Sequence, residues 1–265
     1  MRMLLAALLA IAAPAAAFDH GHAAWNELLQ RHVRWDADGS ASAVDYAGFA
    51  ADRGVLRTYL DSLSAVTPDE AARFDRFQRL AFLINAYNAF TVELVLTRWP
   101  HLTSIKDLGG LFSSPWRQRF FTLLGESRHL DDLEHGLIRG AADFDEPRVH
   151  FALNCASIGC PGLRPEAYVP ESLAAQLEDQ TQRFLRDRSR NRYDPDTGTL
   201  AVSRIFDWYG EDFERGLGGT RSVAGFLARY AQQLSPDREA QARVAAGVVE
   251  LRFLDYDWRL NAAAR

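Results

Sequence analysis

Residues 80–92 read LAFLINAYNAFTV, a run without a single charge. A helix that is apolar on every side must lie inside a protein or inside a bilayer. A bilayer crossing needs about 20 apolar residues, and this run is too short. It therefore predicts a buried central helix with the rest of the chain packed around it. Thr67-Pro68-Asp69-Glu70 supplies a helix start, with a cap residue, a proline at the first position and acids in the first turn. Trp99-Pro100 closes the helix. Asn85 and Asn88 interrupt the run, three residues apart and on one side of the helix. A buried amide needs partners. Either the two form a polar network tying the helix to a neighbouring loop, or they line a site.

The second informative stretch is 148–168, RVHFALNCASIGCPGLRPEAY. Residues 148–154 fit a strand, with Val149, Phe151, Leu153 and Cys155 on an inward face and His150 on the other. Gly159, Pro161, Gly162 and Pro165 then impose a loop. In an extended strand His150 would lie roughly 16 Å from Cys155, so it reads as a half-exposed strand residue. A histidine partner for Cys155 is then expected from another segment.

The flanking chain alternates helix and short strand. Residues 23–33 and 55–63 carry helical apolar spacing, and 44–49 reads as a short extended piece. His20 and His22 form an H-x-H ahead of the first helix, read as a mobile leader or as metal ligands. Residues 120–130 fit a hairpin around Gly125-Glu126. In 131–139, DDLEHGLIR, Asp131 is placed to cap a short helix and Glu134 to return the capping bond. His135 stands next to it and is a candidate general base. Helices follow at 170–187, 205–215 and 223–234, with strands at 200–202 and 248–256. The fold class is α+β: a helix-rich domain with a small antiparallel sheet, papain-like by analogy. No repeat or linker divides residues 18–265, which are expected to form a single domain.

At the N-terminus, Arg2, the apolar run 4–13 and Ala15-Ala16-Ala17 have the pattern of a secretory signal peptide cleaved after Ala17. The expected location is the periplasm or the exterior, with no membrane span after cleavage. The formal net charge of −5 and the lack of a basic run argue against nucleic-acid binding. No two histidines and a carboxylate stand at a helix spacing such as H-E-x-x-H, so neither a metal nor a cofactor is implied. Cys155 and Cys160 are the only cysteines. In an oxidising compartment an even count favours a disulfide, and the C-x4-C spacing is not that of a zinc ribbon or a thioredoxin-like site.

Five segments together resemble the bacterial and plant family called domain of unknown function 547. They are AFLINAYNAFTV (81–92), LDDLEHGLIR (130–139), VHFALNCASIGCPGLRPEAY (149–168), IFDWYGEDF (205–213) and FLDYDWRLN (253–261). The resemblance carries over at Asn85, Tyr87, Asn88, Glu134, His135, Cys155, Pro161 and Arg164. Plant members keep the cysteine matching Cys155 but have serine where Cys160 stands, which implies that a disulfide is not the family's shared reason for Cys155. Leu130, preceded by His129, departs from the family's threonine-leucine entry to the Glu-His segment. The resemblance implies a shared domain and no particular reaction.

The sequence supports three readings. In the first, Cys155 is the nucleophile of an acyl-transfer enzyme, an amide or thioester hydrolase or a transpeptidase, acting on a peptide-like envelope substrate. His135 is then its base, and Glu134, Asn85 or Asn88 orients the imidazole or binds the oxyanion; Asn85, Asn88 and Arg164 are the substrate-binding candidates. Glu134 is the weaker orienter, because consecutive helical residues point about 100° apart. In the second, the protein is a non-catalytic envelope binding protein with a structural Cys155–Cys160 disulfide. In the third, the cysteines are a thiol–disulfide redox pair.

Overall fold

The computed structural model describes residues 17–110, 113–141, 144–215 and 219–264. The signal-peptide expectation lies outside these residues except for Ala17. The first part of the chain is α1 (Ala23–His32), the β1–β2 hairpin (Val33–Trp35, Ser42–Val44), α2 (Tyr46–Ala51), α3 (Arg53–Ala65), the single turn α4 (Pro68–Ala71) and the long α5 (Arg76–Leu96). Next come the hairpin β3 (Phe121–Leu123) with β4 (Glu126–Arg128), then α6 (Leu173–Arg186). The last part holds β5 (Arg192–Asp194), β6 (Thr199–Val202), the short helices α7 (Ile205–Trp208), α8 (Gly210–Glu214), α9 (Val223–Ala228), α10 (Ala231–Leu234) and α11 (Arg238–Ala245), and β7 (Glu250–Phe253).

The uncharged run does what its composition demands. Every residue from 80 to 92 is buried in α5. Helix α5 is long and apolar enough to cross a membrane by length and composition, but it is enclosed by the protein's own elements. Its start differs from expectation. Thr67 does cap a helix, accepting from the Glu70 amide, but only one turn forms. The long helix starts afresh at Asp75, in a reciprocal capping box with Gln78. Each of the two helix starts therefore satisfies first-turn amides that no intrahelical carbonyl can reach.

Two hydrophobic clusters divide the core. The first surrounds α5 and takes in Trp25, Phe49, Leu63, Leu133 and Val149. The second is aromatic, with Phe151, Phe184, Phe206, Phe213 and Phe226 in mutual contact at ring separations of 4.8–6.3 Å. Helix α6 spans both: Leu173 and Leu177 pack in the first cluster, Phe184 and Leu185 in the second.

Several expectations are corrected. Residues 147–151 form a 3-10 turn, not a strand. Pro147 at its first position and Glu146 as its cap set the helical start. A 3-10 turn advances about three residues per turn, so successive side chains diverge widely. Val149 enters the first core and Phe151 the second, and His150, between them, is buried rather than half-exposed. His22 is likewise not part of a mobile leader. It is buried, its Nδ1 lies 2.7 Å from the Tyr59 hydroxyl, and burial lowers its pKa to about 3. In the piece at 44–49 only Val44 is strand, Asp45 is a cap, and the other four residues belong to helix α2. The sheet is mixed: β5–β6 is antiparallel but β6–β7 is parallel. The α+β class stands, with helices dominating and the sheets kept to two or three strands.

Candidate functional site

A cleft of about 300 Å3 opens where the two cores meet. Cys155, Glu134, His135 and His150 line it, together with Cys160 and a wall of tyrosines and tryptophans. Asn85, Asn88 and Arg164 do not reach it. Asn85 donates to the Tyr168 carbonyl at 2.7 Å and accepts from the Tyr168 amide at 3.1 Å. Asn88 donates to the Ala152 carbonyl at 2.9 Å and accepts from the Asn154 amide at 2.8 Å. Each carboxamide thus pairs with loop backbone as a strand edge would. That makes the asparagines ties between α5 and the loop, not ligands for a substrate. Arg164 is also engaged, donating to Glu166 and, at 2.6 Å, to Asp179.

The cysteine loop is held from two sides. Asn154 bridges its ends, donating to the Pro161 carbonyl at 2.7 Å and accepting from the Ala156 amide at 3.0 Å. The C-terminal segment clamps its outer edge: Ile158 donates to the Arg259 carbonyl and Gly159 to that of Asp257, both at 2.8 Å. A Cβ on Gly159 would come 3.0 Å from the Tyr256 ring and the Asp257 amide, tighter than ordinary contact, so a larger residue would push the strap outward. Ala156, directly after the cysteine, has φ +62° and is fully buried. A non-glycine residue in that region costs roughly 1–2 kcal/mol. Such strain persists only where surrounding contacts over-determine it.

Both cysteines are free thiols, Cys155 partly exposed and Cys160 buried. The Cys155 amide donates to the Cys160 sulfur at 2.8 Å. The hydroxyls of Ser157 and Tyr256 lie 3.1 and 3.2 Å from Cys155 Sγ. Hydrogen bonding from the Cys160 thiol is the main influence lowering the Cys155 pKa to about 7, with burial opposing and Ser157 and Tyr256 assisting. Burial pushes Cys160 and Tyr256 well up, so both stay protonated as donors to the thiolate. No histidine is among the main causes of this shift.

Glu134 and His135 sit on a π-helical segment, Asp132–Ile138, whose wide turn is closed by the Arg139 amide donating to the Glu134 carbonyl. Such segments are rare and are frequent at functional sites. The expected capping box does not form. Asp131 makes no cap bond and instead pairs with Arg117 at 3.1 Å, while Glu134 turns into the cleft wall. Burial first, and then the Glu134 carboxylate, raise the pKa of Tyr209, so that phenol is a donor.

The two histidines are wired differently. Arg139 NH1 donates to His135 Nδ1 at 2.8 Å. A guanidinium has no acceptor, so that nitrogen carries the lone pair and Nε2 carries the proton. His135 can therefore offer a hydrogen bond from Nε2 but has no free basic nitrogen. His150 Nε2 lies 2.7 Å from Asp212 Oδ2. The carboxylate accepts, so Nε2 bears the proton and Nδ1 holds the lone pair. Burial opposes ionisation of Asp212, yet His150 and Arg139 outweigh it and hold that carboxyl well below its usual range. His150 also stacks on Tyr209 at 4.0 Å. Sequence reasoning missed His150, Asp212, Tyr209 and Tyr256. Among the described residues, no group of three or more histidine, cysteine or acidic side chains is placed to hold a metal ion.

No curated protein and no solved structure matches this chain. Residues 71–185 match the model of a family described as "Protein of unknown function, DUF547". That stretch contains α5, the π-helical segment and the cysteine loop, whereas Tyr209, Asp212 and Tyr256 lie beyond it. Over these residues, the chain is similar to the DUF547 family.

Proposed function

We propose that the protein is a cysteine-nucleophile acyl-transfer enzyme, with Cys155 as nucleophile and the His150–Asp212 pair as its base. The observation that carries this reading is that a hydrogen-bonded, ionisable thiol shares one cleft with an imidazole whose orientation a buried carboxylate fixes. Thiolate, not thiol, is the reactive form, and a base oriented by a third group is the recurring logic of such sites.

Cys155 Sγ attacks the carbonyl carbon of an amide, ester or thioester, and the thiol proton passes to His150 Nδ1. A C–S bond forms and the carbonyl electrons move onto oxygen, where the Nε2–H of His135 is a donor within the same cleft. When the oxyanion collapses, the bond to the leaving group breaks and that group takes the proton from His150. Water, or an amine in a transpeptidation, then resolves the thioester. Positioned acid–base groups of this kind contribute about 10²–10⁴ in rate. The expected substrate is an envelope peptide, in keeping with the exported compartment expected from the leader.

The test is rapid alkylation near neutral pH, followed by mass mapping of the labelled cysteine. Cys155 is expected to label fast and alone in the wild type and in His150→Ala, while turnover of a peptide thioester is expected to be lost in His150→Ala and to fall less in His135→Ala. A chain whose thiols are absent without reductant, or whose Cys155 reacts no faster than an ordinary thiol, ends the proposal.

A further inference from the structure

Glu134 is 7% exposed and lines the cleft. Among the described residues, no lysine, arginine or histidine pairs with it. Arg139 feels its charge, but its guanidinium is engaged by Asp212 and His135. Buried carboxylates are normally paired with a cation. Here the Tyr209 phenol is the neighbour that feels the carboxylate most, and among the described residues the carboxylate has no positive partner.

The walls beside it suit a cation. Trp258 stacks on Trp208 at 5.7 Å, meets Trp116 edge-on at 5.8 Å and contacts Tyr256 at 4.5 Å. Aromatic faces attract ammonium groups electrostatically, most strongly when water is excluded. The protein already uses this on one side of the shelf, where Lys106 Nζ sits 3.7 Å from the Trp258 ring centre. Trp208 is 45% exposed, which leaves part of the shelf open at the mouth of the cleft. Asp131, the other carboxylate in the cleft, is already paired with Arg117, so the uncompensated charge is that of Glu134.

We propose that the cleft is selective for an acyl substrate bearing an ammonium group, which enters over the Trp208–Trp258 shelf and supplies the missing partner of Glu134. This rests on the reading of Cys155 as the reactive group, and adds which substrates that group meets. Anionic acyl compounds of similar size are repelled by the same charge, and neutral ones gain nothing from it.

The experiment uses three methanethiosulfonates on the whole protein: methyl (neutral), 2-(trimethylammonium)ethyl (cationic) and 2-sulfonatoethyl (anionic). In each, the thiolate attacks sulfur, a mixed disulfide forms and methanesulfinate leaves. Rates at Cys155, assigned by mass mapping, are divided by those of N-acetylcysteine with the same reagent, which removes attraction to the thiolate itself. The cationic reagent is expected to be favoured at least tenfold over the neutral one and further over the anionic one. Glu134→Gln is expected to bring the ratios within about twofold of one another, and Trp208→Ala to reduce the cationic preference. Equal normalised rates in the wild type, or a preference unchanged in Glu134→Gln, overturn the proposal. If Glu134→Gln does not fold, protection decides. Ethylammonium chloride should slow iodoacetamide labelling of wild-type Cys155 where sodium chloride at the same ionic strength does not, and no difference overturns the proposal. Failure of acyl transfer itself would leave these charge ratios readable, so the two ideas fail separately.

Discussion

The two cores bury polar groups in opposite ways. On α5 itself the buried carboxamides, Asn85 and Asn88, each satisfy one backbone donor and one backbone acceptor. Beside the aromatic core the polar groups are ions and an imidazole, His150, Asp212 and Arg139. A pair of hydrogen bonds to backbone completes the carboxamide and leaves little for chemistry. The ionic chain is open-ended: its last nitrogen, His150 Nδ1, belongs to a ring that lines the cleft. Burial alone thus does not mark function. What distinguishes the two regions is whether the buried group's capacity is used up within the fold.

The strongest way to break this contrast is Asp212→Asn. It leaves the shape but removes the charge that sets the His150 tautomer, and acyl transfer should fall about 10³–10⁴-fold, the scale seen when a catalytic carboxylate is neutralised. The sign of its pH effect follows from the depressed carboxyl. Asp212 stabilises the fold above its ordinary value of 3.8 and loses that contribution only as pH falls through its lower folded value. Acid unfolding followed by circular dichroism should therefore be shallower in the variant.

On the other side, Asn85→Ala should act on stability alone. It orphans the amide and carbonyl of Tyr168, at roughly 1–3 kcal/mol for each buried group. Urea titration should show a loss of about 2–6 kcal/mol, while the folded fraction keeps the wild-type alkylation rate. A matching loss of thiol reactivity would erase the distinction drawn here.

A smaller effect concerns the sulfur pair. Alkylation of Cys155 should rise through a midpoint near 7, and Cys160→Ala should shift that midpoint upward toward the ordinary 9.0, because the main donor to the thiolate is gone. Since the folded value is the lower one, the thiolate's contribution to stability is complete above pH 9 and fades as pH drops through 7. Smallest is Ala156→Gly. Glycine relieves the positive φ but frees the unfolded chain, and the two terms nearly cancel, within about 1 kcal/mol. Reactivity, measured by the same labelling, should fall more than stability does, because the loop loses its enforced direction.

What was legible in the sequence follows the same divide. The uncharged run announced its own burial, and Phe121–Leu123 with Glu126–Arg128 pair as the expected hairpin, with the turn at Leu124 and Gly125, both of positive φ, one residue earlier than Gly125-Glu126. Cys155, Glu134 and His135 do share one cleft. The seven residues 148–154 were misread because apolar spacing over so short a span fits a strand and a 3-10 turn equally. Pro147 was the signal that should have decided it. That error displaced His150, since an extended chain would have carried it away from Cys155. The π-turn at 132–138 has no sequence mark, so the capping pattern around Asp131 and Glu134 pointed the wrong way. Asp212 and Tyr256 stood in quoted segments, IFDWYGEDF and FLDYDWRLN, but nothing local ties either to a cysteine so far back in the chain.

That separation has a consequence during synthesis. Tyr256 is 101 residues downstream of the sulfur it touches, and the strap formed by residues 256–261 comes with it. At about 5–20 residues per second, a nascent chain carries Cys155 for about 5–20 s before its last donor and its clamp exist. Throughout that interval the half-made protein holds a thiol that lacks its tyrosine donor and its strap, whatever its nearer neighbours supply.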